Sequence, residues 1–138
     1  MSPLNPQDSL VAIMILTAAA DSRMSARETE AITAMVGLLP VFRGFDPARV
    51  SEISSIVLEM LQDDDGIDQI LALVEQGLPH GLVETAYALA CDVAAADGDI
   101  ALEEMRLLEI MRHHLGLDRL NAAAIERGAR ARHRRLED

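Results

Sequence analysis

An internal repeat constrains this chain more than any other feature. The segment Ala18-Ala19-Ala20-Asp21-Ser22-Arg23-Met24-Ser25-Ala26-Arg27-Glu28 recurs as Ala94-Ala95-Ala96-Asp97-Gly98-Asp99-Ile100-Ala101-Leu102-Glu103-Glu104. The apolar register continues beyond it, with Ile32 opposite Leu108 and Met35 opposite Met111. Each copy is the same unit: an apolar helix, an Asp at its end, a short turn, and a helix with Glu in its first turn. Two such units predict a pseudo-twofold helical bundle in which the two apolar helices pack together and bring their turns to one region.

The punctuation along the chain predicts seven helices. Asn5-Pro6 reads as an N-cap with proline at the first helical position, opening a helix over 6–20. Ser25 through Glu28 is a capping box, opening a second helix that ends before Pro40. Residues 42–45 form a loop. Asp46-Pro47 opens a third helix over 47–62, which the run Asp63-Asp64-Asp65-Gly66 breaks. A fourth covers 66–77, a fifth 81–96 and a sixth 101–115, stopping at Gly116; Asp118 caps a seventh from 119 into the tail. Leu102, Met105, Leu108, Met111 and Leu115 recur at helical spacing, and no segment alternates as a strand with hairpin turns. Leu10–Ala20 and Ala86–Ala96 are apolar nearly all round, the pattern of helices at the middle of a bundle. The fold class is all-α. The 138 residues fit one domain, with a basic tail from about residue 127.

Charge bounds the partners. With 12 basic and 23 acidic residues the net charge is −11, and every basic residue is Arg. Residues 1–118 carry 6 basic and 20 acidic side chains, a net −14; residues 119–138 carry 6 and 3, a net +3. An acidic body repels phosphate and anionic lipid and favours cations or basic proteins. Nucleic-acid binding rests on the Arg-rich tail alone and the body opposes it; pairing of the tail with the acidic body explains it equally well. Cys91, the single cysteine, lies in an apolar run and reads as a buried, inert thiol. The N-terminus has no basic region of the secretory kind, and the run from Leu10 to Ala20 is too short for a membrane span. The expected location is the cytoplasm.

The repeated turn carries the candidate chemistry. Asp21 and Asp97 stand at helix C-termini, facing the negative end of the dipole. Two readings offset that cost: each Asp accepts backbone N–H groups of the next helix, or a cation bridges it to the following Glu. Hard oxygen ligands suit calcium or magnesium better than zinc. Glu28 is already accounted for by its capping box. Glu104 is less so, because Ala101 stands where the first copy has Ser25, and Asp99 adds a carboxylate. The candidate metal ligands are therefore Asp97, Asp99 and Glu104, then Asp21 and Glu28. The spacing from Asp97 to Glu104 matches positions five to twelve of an EF-hand, but Val93 and Ala95 occupy positions one and three and cannot ligate. His80, His113, His114 and His133 form no metal or catalytic spacing, and no nucleophile motif or phosphate loop is present. A non-enzymatic protein is expected.

These residues resemble the tellurite-resistance TerB-like domains, whose pattern is two Ala-Ala-Asp-Gly-x-hydrophobic-x-x-x-Glu units. Here they read Ala19-Ala20-Asp21-Ser22-Arg23-Met24 to Glu28, and Ala95-Ala96-Asp97-Gly98-Asp99-Ile100 to Glu104. The resemblance covers about Leu10 to Leu120. It implies a seven-helix bundle with a negative face whose acidic residues take divalent cations, and a bacterial accessory role in tellurite and other stress resistance through protein complexes near the membrane. Ser22 departs from the family's usual glycine. The alternative is a structural interaction module without metal, its Asp–Glu turns acting as helix caps. Both readings leave open a protein partner or a homo-oligomer.

Overall fold

Two helices that are apolar nearly all round belong at the middle of a bundle, and that requirement organises the molecule. In the computed structural model, which describes residues 4–20, 24–98 and 100–137, α1 (Pro6–Ala18) is buried from Asp8 to Ala18. It packs against α2 (Ala26–Leu38), α3 (Arg49–Met60), α4 (Gly66–Gly77), α5 (Val83–Ala95) and α6 (Leu102–Leu115). The second apolar helix, α5, lies against α1, α2 and α6 and is covered on another side by α7 (Arg119–Arg132). On α5 a stripe through Glu84, Ala88 and Asp92 is left partly exposed. Residues 40–42 and 80–82 form single 3-10 turns. There is no strand among the described residues.

The core is aliphatic. Leu10, Ile13, Met14 and Leu16 of α1, Ala90, Val93 and Ala94 of α5, and Ile32, Ile70, Leu71 and Met111 all belong to one buried cluster. Full burial of each Leu, Ile or Met side chain contributes about 1.5–3 kcal/mol. Alanines on α5 let its backbone approach α1 and α7 closely. Phe42 and Phe45 meet edge-to-face with centroids 5.7 Å apart.

The helix starts that carry a side-chain cap follow the sequence closely. Asn5 Oδ1 accepts from the Asp8 amide at 2.8 Å with Pro6 at the first position, and Asp118 Oδ1 accepts from the Asn121 amide at 2.8 Å. Gly116, at φ +67°, ends α6 in the left-handed conformation that glycine takes without strain. Four boundaries differ from the sequence expectation by two residues, one of them the end of α3, at Met60 instead of 62. α1 ends at Ala18, two residues before the expected end. α3 begins at Arg49, because Asp46 Oδ1 accepts from the Ala48 amide at 3.0 Å and makes a local turn there. α5 begins at Val83 after the 3-10 turn of His80–Leu82.

One close approach depends on the absence of a side chain. A Cβ on Gly77 would stand 2.1 Å from the Leu4 carbonyl oxygen and 2.5 Å from Ser9 Oγ. The end of α4 is thereby fitted to the chain entering α1.

Candidate functional site

The packing of α1 on α5 brings parts of the two repeat units together, as the duplication predicts. In the first unit Ser25 has extended backbone, φ −71° and ψ 160°. Its Oγ accepts from the Glu28 amide at 3.0 Å, and the Ser25 amide donates to Glu28 Oε1 at 3.0 Å. This is a complete reciprocal capping box. In the second unit Ala101 has nearly the same backbone, φ −64° and ψ 153°. Its amide donates to Glu104 Oε1 at 3.3 Å. A methyl group accepts nothing, so the second box is half of the first.

The two units are joined across 72 residues of sequence: Ser25 Oγ donates to Asp97 Oδ1 at 3.1 Å. A hydroxyl has one proton and two acceptor lone pairs. Ser25 uses the proton on Asp97 while a lone pair takes the Glu28 amide. The donor on Asp97 therefore comes from the other repeat, a possibility that reading each turn by itself does not raise.

Of the five expected ligands, Asp97 is exposed, while Glu28 and Glu104 are 2% and 3% exposed at the first turns of α2 and α6. Asp21 and Asp99 lie outside the described residues. Among the described residues no three His, Cys, Asp or Glu side chains are grouped so as to hold a metal ion. Asp97, Glu28 and Glu104 thus supply oxygen chemistry at this end without forming a closed set among themselves.

The basic tail reaches the same end. Arg132 Nη2 lies 2.7 Å from Asp92 Oδ1, and His133 Nε2 lies 3.3 Å from the same oxygen. Beyond the end of α7, Arg135 Nη2 donates to the main-chain carbonyl of Asp97. Gly98, at φ +96°, faces that guanidinium: a Cβ there would stand 3.1 Å from Arg135 Nη2 and 3.3 Å from its Cζ. Pairing of tail with body is what the structure displays.

Other groupings were not read from the sequence. Arg49 holds Asp8 in a two-point ion pair, Nη2–Oδ2 2.6 Å and Nε–Oδ1 3.2 Å, tying the start of α3 to the start of α1. Only the odd presence of an Asp beside an apolar helix hints at it. Tyr87 Oη donates to Glu126 Oε2 at 3.0 Å beside a cavity of about 220 Å³ that Arg112 and Arg130 also line. Burial raises the Tyr87 phenol, and next the negative charge that Cys91 would carry. Burial, then Glu126 and Asp92, pushes the Cys91 thiol up to about 12, which makes it inert as expected. His114 lies 3.4 Å from Glu75 Oε1 and 3.8 Å from Asp68 Oδ1, at the C-terminal end of α6. A groove of about 500 Å³ runs between α2 and α3 over Ile15, Ile32 and Val36. Its hydroxyls on Thr29, Thr33, Ser54 and Ser55 donate to carbonyls one turn back on their own helices.

Together these features define an all-helical domain made of a duplicated helix–turn–helix unit whose turns are linked by the Ser25–Asp97 hydrogen bond. The family model for tellurite resistance protein TerB matches residues 7–127, and the chain belongs to that family. No curated protein and no solved structure matches it. No helix of the described residues is long and apolar enough to cross a membrane.

Proposed function

We propose that this TerB-family chain is a non-enzymatic, cytoplasmic accessory domain in bacterial tellurite or related stress response. In this reading the acidic face at the joined turns binds a divalent cation or a protein partner. Asp97 and Asp99 with Glu104, and Asp21 with Glu28, are the proposed ligands. Their all-oxygen chemistry favours calcium or magnesium over zinc. The observation that supports the reading is the hydrogen bond from Ser25 to Asp97 Oδ1, which draws carboxylate-bearing turns of both repeats to one place. Asp97 is exposed, and in this reading water completes its ligand set.

The second reading, turns that only cap, is favoured by the bonds from Glu28 to the Ser25 amide and from Glu104 to the Ala101 amide. Thermal melts of chelator-stripped protein separate the two. A cation at about 100 times its dissociation constant adds about 2.7 kcal/mol. At about 2.1 cal/mol/K per residue, 138 residues give an unfolding entropy of about 0.29 kcal/mol/K, so the expected rise is about 9 °C. The rise should saturate with calcium or magnesium and disappear in Asp97→Ala. A wild type that melts at the same temperature with calcium, magnesium, manganese and zinc would eliminate the cation reading and leave the caps.

A further inference from the structure

The tail contact adds a main-chain carbonyl to the chemistry of this end of the domain. Arg135 Nη2 meets a main-chain carbonyl, that of Asp97, just past the end of α5. This is the negative end of the helix dipole, where a cation is favoured. The guanidinium lies against Gly98, whose missing side chain leaves the surface it occupies. Gly98 is therefore constrained twice, by its positive φ and by this neighbour. Arg132 and His133 share one carboxylate, Asp92, and Arg134 beside Arg135 is exposed. Terminal segments of this kind open at low free energy. The charge of the body, a net −14 over residues 1–118, favours replacement of one arginine-bearing segment by another.

We infer that the Asp97–Gly98 turn is a guanidinium-binding site that takes an arginine-bearing basic segment of a partner protein, and that Arg135 occupies it in cis until such a segment displaces it. The inference gives the partner's chemistry and rests on the proposal that this end of the domain is a binding surface, though not on the cation. Its planar fork distinguishes arginine from lysine at such a site. The tail is tethered close to the turn, so its effective concentration is in the millimolar range, and an outside segment competes against it.

The test uses the full-length chain, nitrogen-15 labelled, in chelator and without divalent ions. The probe is a blocked peptide of residues 130–137, with a twin in which each Arg is Lys. Amide resonances of Gly98 and Ala101 report on the turn. In Arg135→Ala the arginine peptide should shift them saturably, with an affinity at least about tenfold tighter than for wild type, and the lysine twin should bind weakly. Arg135→Lys, which keeps the charge, should also open the turn to the arginine peptide. Equal binding by wild type and Arg135→Ala, equal binding of the two peptides, or shifts that map away from Gly98 would each overturn the inference. A wild-type dimer that dissociates in Arg135→Ala would overturn the partner assignment in favour of a second copy's tail. Chelator keeps this outcome separate from the cation melt: either can fail while the other succeeds.

Discussion

The half-built capping box at Ala101 offers a quantitative test of how the two turns are stabilised. Ser25 and Ala101 have N-cap backbones of φ −71°, ψ 160° and φ −64°, ψ 153°, and each is followed three residues later by a Glu that accepts its amide. Only Ser25 has a hydroxyl to take the third amide of the helix. Ala101→Ser should therefore complete the second box. An N-cap hydroxyl contributes about 1 kcal/mol relative to alanine. After a few tenths for ordering the new side chain, the expected gain is about 0.5–1 kcal/mol. With an unfolding entropy of about 0.29 kcal/mol/K, the melting temperature rises by about 2–3 °C. The reverse change, Ser25→Ala, removes the cap and also the hydrogen bond to Asp97. It should cost about 1.5–2 kcal/mol, or about 5–7 °C. Circular dichroism melts and urea titrations of the two variants give both numbers. A double-mutant cycle of Ser25→Ala with Asp97→Ala should leave a coupling of about 0.5 kcal/mol, the share carried by the link between repeats. A neutral or destabilising Ala101→Ser would refute the claim that the two turns share one capping geometry. Zero coupling in the cycle would refute the claim that Ser25 holds Asp97.

Two further outcomes follow from packing and burial. Gly77→Ala should destabilise by about 1–3 kcal/mol, read as a lowered urea midpoint, because its Cβ would fall 2.1 Å from the Leu4 carbonyl oxygen; an unchanged midpoint would place the start of the chain elsewhere. Stability should fall at alkaline pH. The folded Cys91 thiol is held up to about 12 against an ordinary 9.0, so the folded state keeps a proton that the unfolded chain releases. Its contribution is whole below about pH 9 and is lost as pH rises from there toward 12, with Tyr87, also raised, adding to the loss above about 10. Urea midpoints at pH 8 and pH 10.5 measure this, and Cys91→Ala should flatten the dependence. Native Cys91 should also resist a thiol-disulfide reagent that modifies it at once in urea.

The parts of the fold legible in the sequence are those where one local signal decides the outcome. An all-round apolar segment leaves α1 and α5 no stable place except the centre. Asn5-Pro6, the Ser25–Glu28 box and Asp118 each satisfy orphan amides within three residues, so they set helix starts without help from the rest of the fold. Boundaries drift where local signals compete. Polyalanine after Thr17 contains no stop, and the chain leaves the helix at Ala18. Asp46-Pro47 resembles a cap, yet Asp46 satisfies Ala48 in a turn, and the helix begins where Arg49 reaches Asp8. The candidate site is legible as a list of carboxylates and illegible as a set of contacts. Each box can be read within its own turn, but the meeting of Ser25 with Asp97 depends on how the two units pack. The tail's charge shows that it seeks an anionic partner; only the packing of α7 on α5 shows that it meets Asp92 of α5 and the turn that follows.

The asymmetry between the repeats then has a physical explanation. A perfect duplication would put the same residue types in both turns, and each would have to serve every role. Here the roles are divided. The first unit has the hydroxyl, Ser25, and spends its one proton on the carboxylate of the second. In sequence it has Ser22 where the second unit has Gly98. The second unit has no hydroxyl at Ala101 but has that glycine, and the bare surface at Gly98 is where the arginine of the tail rests. Adding a hydroxyl at Ala101 should strengthen α6 without disturbing the link, because Ser25 already supplies Asp97. Adding a side chain at Gly98 should strain the turn and push Arg135 away together. The link between the turns is thus carried by Ser25 of the first unit, and the contact with the tail by the Asp97–Gly98 turn of the second.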